Sequence, residues 1–354
     1  MIFYKTVSCG NDFILIDRDE YRTNAAHLIT KGQLAQKICS RHTGAGADGV
    51  VFYKIFPGTS GTPGTPGTRP VDFEIFNRDG SEAELSGNGM AGLSALFFYL
   101  NQSGDQDQVV LNTKAGPKKN TCLQREKNKF RLKVEIGSAD FQNHDFFPFL
   151  SVSCNSLKKN QSFEMTPTKE RHQSDRELVG GATPFEMTPP KERHQADREW
   201  VGGATPFLEK NKWGYRYQGI TFYPVSVGNP HAVVLVEESM APDKPGQIGQ
   251  VLEEAPIFPY KTNVELVLPI GAEPVDYEKG ENFRVFFYER GVGQTHSSST
   301  GSAAVFAVLQ KLNLISRTMT IPYPDLDESI KISGKNKIYI ENYTEIVYKG
   351  VYLS

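Results

Sequence analysis

Five short stretches carry side chains able to do chemistry on a small polar molecule. They are SCGNDF with Asn11, FNRDGSEAELSGNG with Asn77, Ser86, Gly87 and Asn88, VGNPH with Asn229 and His231, KTNVE with Asn263, and ERGVGQTHSSSTG with Glu289, Arg290, Ser298, Ser299 and Thr300. One asparagine in a turn is ordinary, because Asn tolerates left-handed backbone and closes turns with its side chain. Four of them, each beside an apolar strand, point to a polar pocket, since an amide can donate to a carboxylate and accept from an ammonium. Glu289 and Arg290 add one charge of each sign; the carboxylate suits an ammonium and the guanidinium fork suits a carboxylate. The expected guest is a zwitterion. A surface ion pair is the competing reading of those two neighbours.

The serines stand in two stretches of the same grammar, SGNG before MAGLSALFFYL and SSTG before SAAVFAVLQKL. Each is a run of small residues leading into an apolar helical pattern. Serine is a favoured N-cap, so Ser86 and Ser298 taken alone read as caps before they read as reacting groups. A helix start also leaves its first N–H groups without intrahelical partners, pointing outward with the positive end of the dipole. Such a turn can hold an anion.

The elements that must position these residues are mostly short strands. IFYKTV, FILID, GVVFYKI, DFEIFN, QVVLNT and RLKVEIG are β-branched, aromatic and bounded by turn residues, and YRYQGITFYPVSVGN, HAVVLVE, TNVELVLP and NFRVFFYER repeat the plan later. A further helix is expected over 25–42, and the end of the chain reads as a strand meander. Two strand-rich halves, each with one helix, predict two α+β domains facing one another. The Thr-Pro-Gly run at 58–70 reads as an extended surface loop. A tandem duplication at 163–184 and 185–206 is charged and poor in aliphatic residues, hence an insertion that buries little; partner binding is its other reading.

With 354 residues, the chain suits two domains. Its 39 basic and 41 acidic residues leave a formal charge of −2, which argues against nucleic acid or an anionic membrane as partner. Cys9, Cys39, Cys122 and Cys154 are widely spaced without a His cluster, so neither a disulfide framework nor a zinc site is expected. No signal segment or membrane span is read, and a cytoplasmic location is expected.

GNDFILID, RHTGAGADGV, FNRDGSEAELSGNG, VSVGNPHAV, FPYKTNVELV and the ERGVGQT…STG pair, in this order and spacing, make the chain resemble the diaminopimelate epimerases. The resemblance implies two similar domains, each a curled, mostly antiparallel sheet around a central helix, with the site in the cleft between them. It places domain one at 1–138, completed by about 318–354, and domain two at 139–317 with the insertion at about 150–212. It makes Asn11, Asn77, Asn229, Asn263, Glu289 and Arg290 substrate contacts, with Gly87, Asn88, Ser299 and Thr300 lining carboxylate sites at the two helix starts. The implied activity interconverts LL- and meso-diaminopimelate by Cα proton transfer in lysine and peptidoglycan biosynthesis, with neither metal nor pyridoxal. A homodimer is compatible with it.

The relatives carry a cysteine at each of two positions where this chain has Ser86 and Ser298. A thiol titrates near pH ~8.5 and a helix start lowers that further, whereas an alcohol is a far weaker acid than any dipole effect can correct. His296 is the neighbour able to act as a base for Ser298; exposure or packing is its bland reading. The serine pair therefore leaves three expectations standing: Cα proton transfer carried out at Ser86 and Ser298, a diverged isomerase or lyase of the same fold in which a weak base or another substrate makes do with hydroxyls, or a relative that binds an amino acid or a protein without turnover.

Overall fold

The computed structural model describes residues 1–56, 70–101, 107–151, 209–210, 214–236, 244–269, 283–322 and 329–353. The loop at 58–70, apart from its last residue, and the whole duplication lie outside the described residues, as does Cys154. The first half forms β1 (Ile2–Ser8), β2 (Asn11–Asp17), α1 (Arg18–Asn24), α2 (Lys31–Ile38), β3 (Gly49–Ile55), β4 (Pro70–Asn77), β5 (Glu82–Ala83), α3 (Gly87–Leu100), β6 (Gln108–Thr113), β7 (Gly116–Glu126) and β8 (Lys129–Gly137). The second half adds β9 (Glu209–Lys210), β10 (Tyr215–Tyr217), β11 (Ile220–Ser226), β12 (Pro230–Leu235), α4 (Lys244–Glu253), β13 (Asn263–Pro269), β14 (Phe283–Glu289), β15 (Gly293–Thr295) and α5 (Ser299–Lys311). The chain finishes with β16 (Thr318–Pro322), β17 (Ser329–Gly334) and β18 (Ile338–Val351).

Among the described residues these strands make two sheets. In the first, the order β1-β2-β3-β4-β6-β7-β8-β18 closes on itself, because β18 pairs β8 through its first half and β1 through its second. The ring encloses α3, which is buried from Gly87 to Phe98. A helix that is apolar on every side has nowhere else to go. Its one interior hydroxyl, Ser94, donates to the Met90 carbonyl at 2.8 Å and accepts from Asn120 at 2.8 Å. β17 and β16 extend the sheet past β18 and lie against the second half.

The second sheet runs β15-β14-β13-β12-β11-β10-β9. Helix α5 packs against β11, β12 and β13 on one face, and α4 covers β13, β14 and β15 on the other. One apolar cluster joins residues of α3 and α5, so the two helices share a core across the boundary between the halves. This is a two-domain mixed α/β fold in which each sheet curls about one helix.

Three elements differ from expectation. The helix predicted over 25–42 is shorter: 25–30 is a turn and only Lys31–Ile38 is helical, because Thr30 starts the helix through a capping box in which Gln33 N–H donates to its hydroxyl at 3.3 Å and the Gln33 side chain accepts from the Thr30 N–H at 3.1 Å. β7 was hidden because its sequence, GPKKNTCLQRE, has no apolar alternation: its buried residues are Lys118, Asn120 and Cys122, while Leu123 is exposed. α4 contains Pro245, Gly246 and Gly249, which look like turn residues. Gly249 is there for contact: a Cβ would fall 2.5 Å from the Tyr288 ring.

Candidate active site

The topology delivers the site residues to one place from strand ends and helix starts. Asn11 opens β2, Asn77 ends β4, Asn229 stands at the β11–β12 turn, Asn263 opens β13 and Glu289 ends β14. Ser86, Gly87 and Asn88 form the start of α3, and Ser298, Ser299 and Thr300 that of α5. All twelve expected residues, Arg290 included, line one cavity of about 550 Å³, its open mouth counted. Apolar walls come from Phe13, Ile75, Ala83, Leu85 and Val292.

The two helix starts are near copies. Ser86 has φ −144° and ψ 119°, Ser298 has φ −144° and ψ 121°, and each Oγ accepts from the N–H three residues on, Gly89 or Gly301, at 3.1 Å. Both serines are therefore N-caps as well as cavity residues. The N–H groups of the following first turns, which a helix cannot satisfy internally, belong to residues of the cavity wall. The starts also touch: a Cβ on Gly87 would lie 2.3 Å from Ser299 Cβ. Two positive helix ends thus meet at one cavity, a strong preference for anionic groups there.

The amides hold protein as well as facing the cavity. Asn263 donates to the Pro230 carbonyl at 2.9 Å and accepts from the Arg290 N–H at 3.0 Å, and Asn77 closes its own turn onto Ser81 at 3.1 Å. Asn229 Nδ2 reaches Thr300 Oγ1 at 3.5 Å, while its Oδ1 lies 2.9 Å from His231 Nε2. The other ring nitrogen of His231 is 2.7 Å from Glu265, and both side chains are buried behind the α5 start. Asn11 Nδ2 donates to Glu289 Oε1 at 3.3 Å, which also accepts from Thr295 Oγ1 at 2.7 Å.

Glu289 is the titratable group that stands out. Burial raises its carboxyl to about 7, against the lowering pull of Thr295 and Asn11 and with the help of nearby Asp48 and Glu265. Arg290 next to it is gripped by Glu84 of the opposite half at 2.6 Å and donates to the Tyr260 carbonyl at 3.1 Å. Asp48 also lines the cavity; burial first, then the neighbouring Asp12, pushes its carboxyl up. Sequence reading did not single out Asp48, Glu84 or Ser297. Each was inside a quoted stretch, and the signal was a charge or hydroxyl set among the small residues of a turn.

Neither alternative source of an acid or base joins the site. Cys9, Cys39 and Cys122 are buried away from the cavity wall, and burial pushes the Cys39 thiol up to about 12. His296 is exposed and outside the wall, as its bland reading had it. Among the described residues no group of three His, Cys, Asp or Glu could hold a metal, and no helix is long and apolar enough to cross a membrane.

Two curled sheets, each on a central helix, with both helix starts at a shared polar cleft, define a two-domain mixed α/β protein of the kind built around an interdomain site. The fold is similar to a phenazine biosynthesis protein of the PhzF family from Bacillus anthracis (TM-score 0.52, 12% identity, 100% of this chain and 99% of that one). It is also similar to a hydroxyproline epimerase from Agrobacterium vitis (TM-score 0.50, 12% identity, 99% and 89%). In sequence, the diaminopimelate epimerase family model matches residues 3–142 and 223–349. Diaminopimelate epimerases from Carboxydothermus hydrogenoformans and Rippkaea orientalis are 27% and 29% identical, over 99% of this chain and 99% and 98% of theirs. The chain belongs to the diaminopimelate epimerase family.

Proposed function

We propose that the cleft binds diaminopimelate or a closely similar amino acid, with the reacting Cα between the two helix starts. The observation that carries this reading is the shared cavity: the twelve expected residues line it together, among them the Arg290 cation and the raised carboxyl of Glu289. Carboxylates suit the paired helix starts and Arg290, and an ammonium suits Glu289. The family reaction is exchange of the Cα proton between opposite faces, and Ser86 and Ser298 stand at the two helix caps where it would occur. Each serine oxygen is already a cap acceptor, and among the described residues neither is hydrogen-bonded to a carboxylate or imidazole, which supports a slow reaction. That same observation favours a second reading, binding without turnover.

Incubation with LL-diaminopimelate in heavy water, followed by NMR of the Cα position, separates the two. Slow deuterium incorporation with appearance of the meso form is the expected result. No incorporation, with the ligand still raising the melting temperature, leaves the binding reading alone. No thermal shift from either stereoisomer removes both.

A further inference from the structure

Ser297, one residue before the α5 cap, is fully buried and points away from the apolar core into a polar seam. Its hydroxyl faces two acceptors, the Cys9 carbonyl and Asn11 Oδ1, the latter at 3.1 Å, and accepts from Asn88 Nδ2 at 3.4 Å. Asn11 passes the bond on by donating to Glu289 at 3.3 Å, and Asn88 Oδ1 accepts from Ser299 and from Asn342. Cys9 and Gly10 make a left-handed turn, φ 51° and 84°, that brings the Cys9 carbonyl to Ser297. One hydroxyl therefore joins the β1–β2 turn, both helix starts and, through one amide, the cavity carboxylate.

An Asn amide presents a donor on one side and an acceptor on the other, so whatever donates to its oxygen decides where its NH₂ points. We propose that Ser297 is a positioning residue for Glu289: its one proton, shared between the Cys9 carbonyl and Asn11 Oδ1, holds the Asn11 NH₂ turned toward the carboxylate and so aims that group for the substrate ammonium. The last step rests on the reading of Glu289 as the ammonium partner. Without Ser297, the Asn11 amide is free to reverse and to present its oxygen to Glu289, a contact that favours the protonated acid. Glu289 is especially sensitive to this because its surroundings already oppose ionisation. Burial, Asp48 ahead of β3 and Glu265 on β13 all push it up, and the guanidinium of Arg290 is drawn to Glu84.

The test reads Glu289 directly. Its carboxyl ¹³C resonance, identified by loss in Glu289→Gln, is titrated in the ligand-free protein, and binding of meso-diaminopimelate is measured by calorimetry at pH 7 and 8.5. In Ser297→Ala the Glu289 midpoint is expected to rise by about one pH unit, which cuts its ionised fraction and the affinity at pH 7 about fivefold, with most of the loss recovered at pH 8.5. Ser297→Cys, which keeps a weak donor, is expected to fall between, and it decides the matter if the alanine variant does not fold. A melting temperature lowered in either variant while the Glu289 midpoint stays put overturns the proposal, because the seam would then be structural only. A shifted midpoint without diaminopimelate binding upholds the role of Ser297 and sinks the substrate reading instead.

Discussion

At the scale of single residues, the proposed reaction turns on the contrast between hydroxyl and thiol. Ser86 and Ser298 have the backbone, the cap bond and the cavity position of a matched pair, but an alcohol is too weak an acid to ionise on a helix dipole worth at most about 2 kcal/mol. Replacing both by cysteine changes one atom on each side of the cleft. Ser86→Cys with Ser298→Cys is expected to raise Cα deuterium exchange at least about 100-fold, the low end of what positioned acid–base groups provide. An unchanged exchange rate in a folded double variant that still binds ligand would contradict this. The sequence alone read the serines as caps and as candidate site residues; the geometry shows the caps and sets both serines in one cavity wall. It could not show that Ser297 joins Asn11 to Asn88, residues 286 and 209 positions away in the chain.

At the scale of elements, α3 and α5 fix the cleft by touching at their starts. The contact is possible because position 87 has no side chain. Gly87→Ala would drive a methyl into Ser299 and into Ile136, and overpacking of this kind costs about 1–3 kcal/mol. The expected outcome is a lowered midpoint in denaturant together with loss of ligand binding, since the helix starts must separate. Adding Ser299→Gly should restore part of the stability by removing the atoms struck. If Gly87→Ala leaves both stability and binding intact, the close approach is not what sets the cleft. Both helices were legible as apolar runs behind small-residue turns. Their place inside the sheets was implied by the family resemblance, but their mutual contact was not legible, because sequence periodicity reports how polar each face is and not what meets it.

At the scale of the whole molecule, the two halves meet through the cavity walls as well as through the shared core. Arg78 donates to the Val292 carbonyl at 3.3 Å, and Glu84 pairs with Arg290 across the mouth at 2.6 Å. With side chains 15% and 29% exposed, the pair loses to desolvation much of what it gains by attraction, so its net contribution to folding stays modest and its consequence should appear in binding. Glu84→Gln is expected to weaken diaminopimelate binding about threefold to tenfold by loosening the guanidinium, while the melting temperature moves by no more than about 2–4 °C. A variant that binds as well as the parent would show that Arg290 needs no support from the other half. What the sequence determined by itself was local: the strands, the two apolar helices, their serine caps, and the residue types suited to a zwitterion, all of which follow from side-chain chemistry at short spacing. Only the tertiary structure decided that β18 closes the first sheet, that the two helix starts abut, and that Glu289 is held near neutrality. Those depend on desolvation and on contacts between residues hundreds of positions apart, which no local pattern encodes.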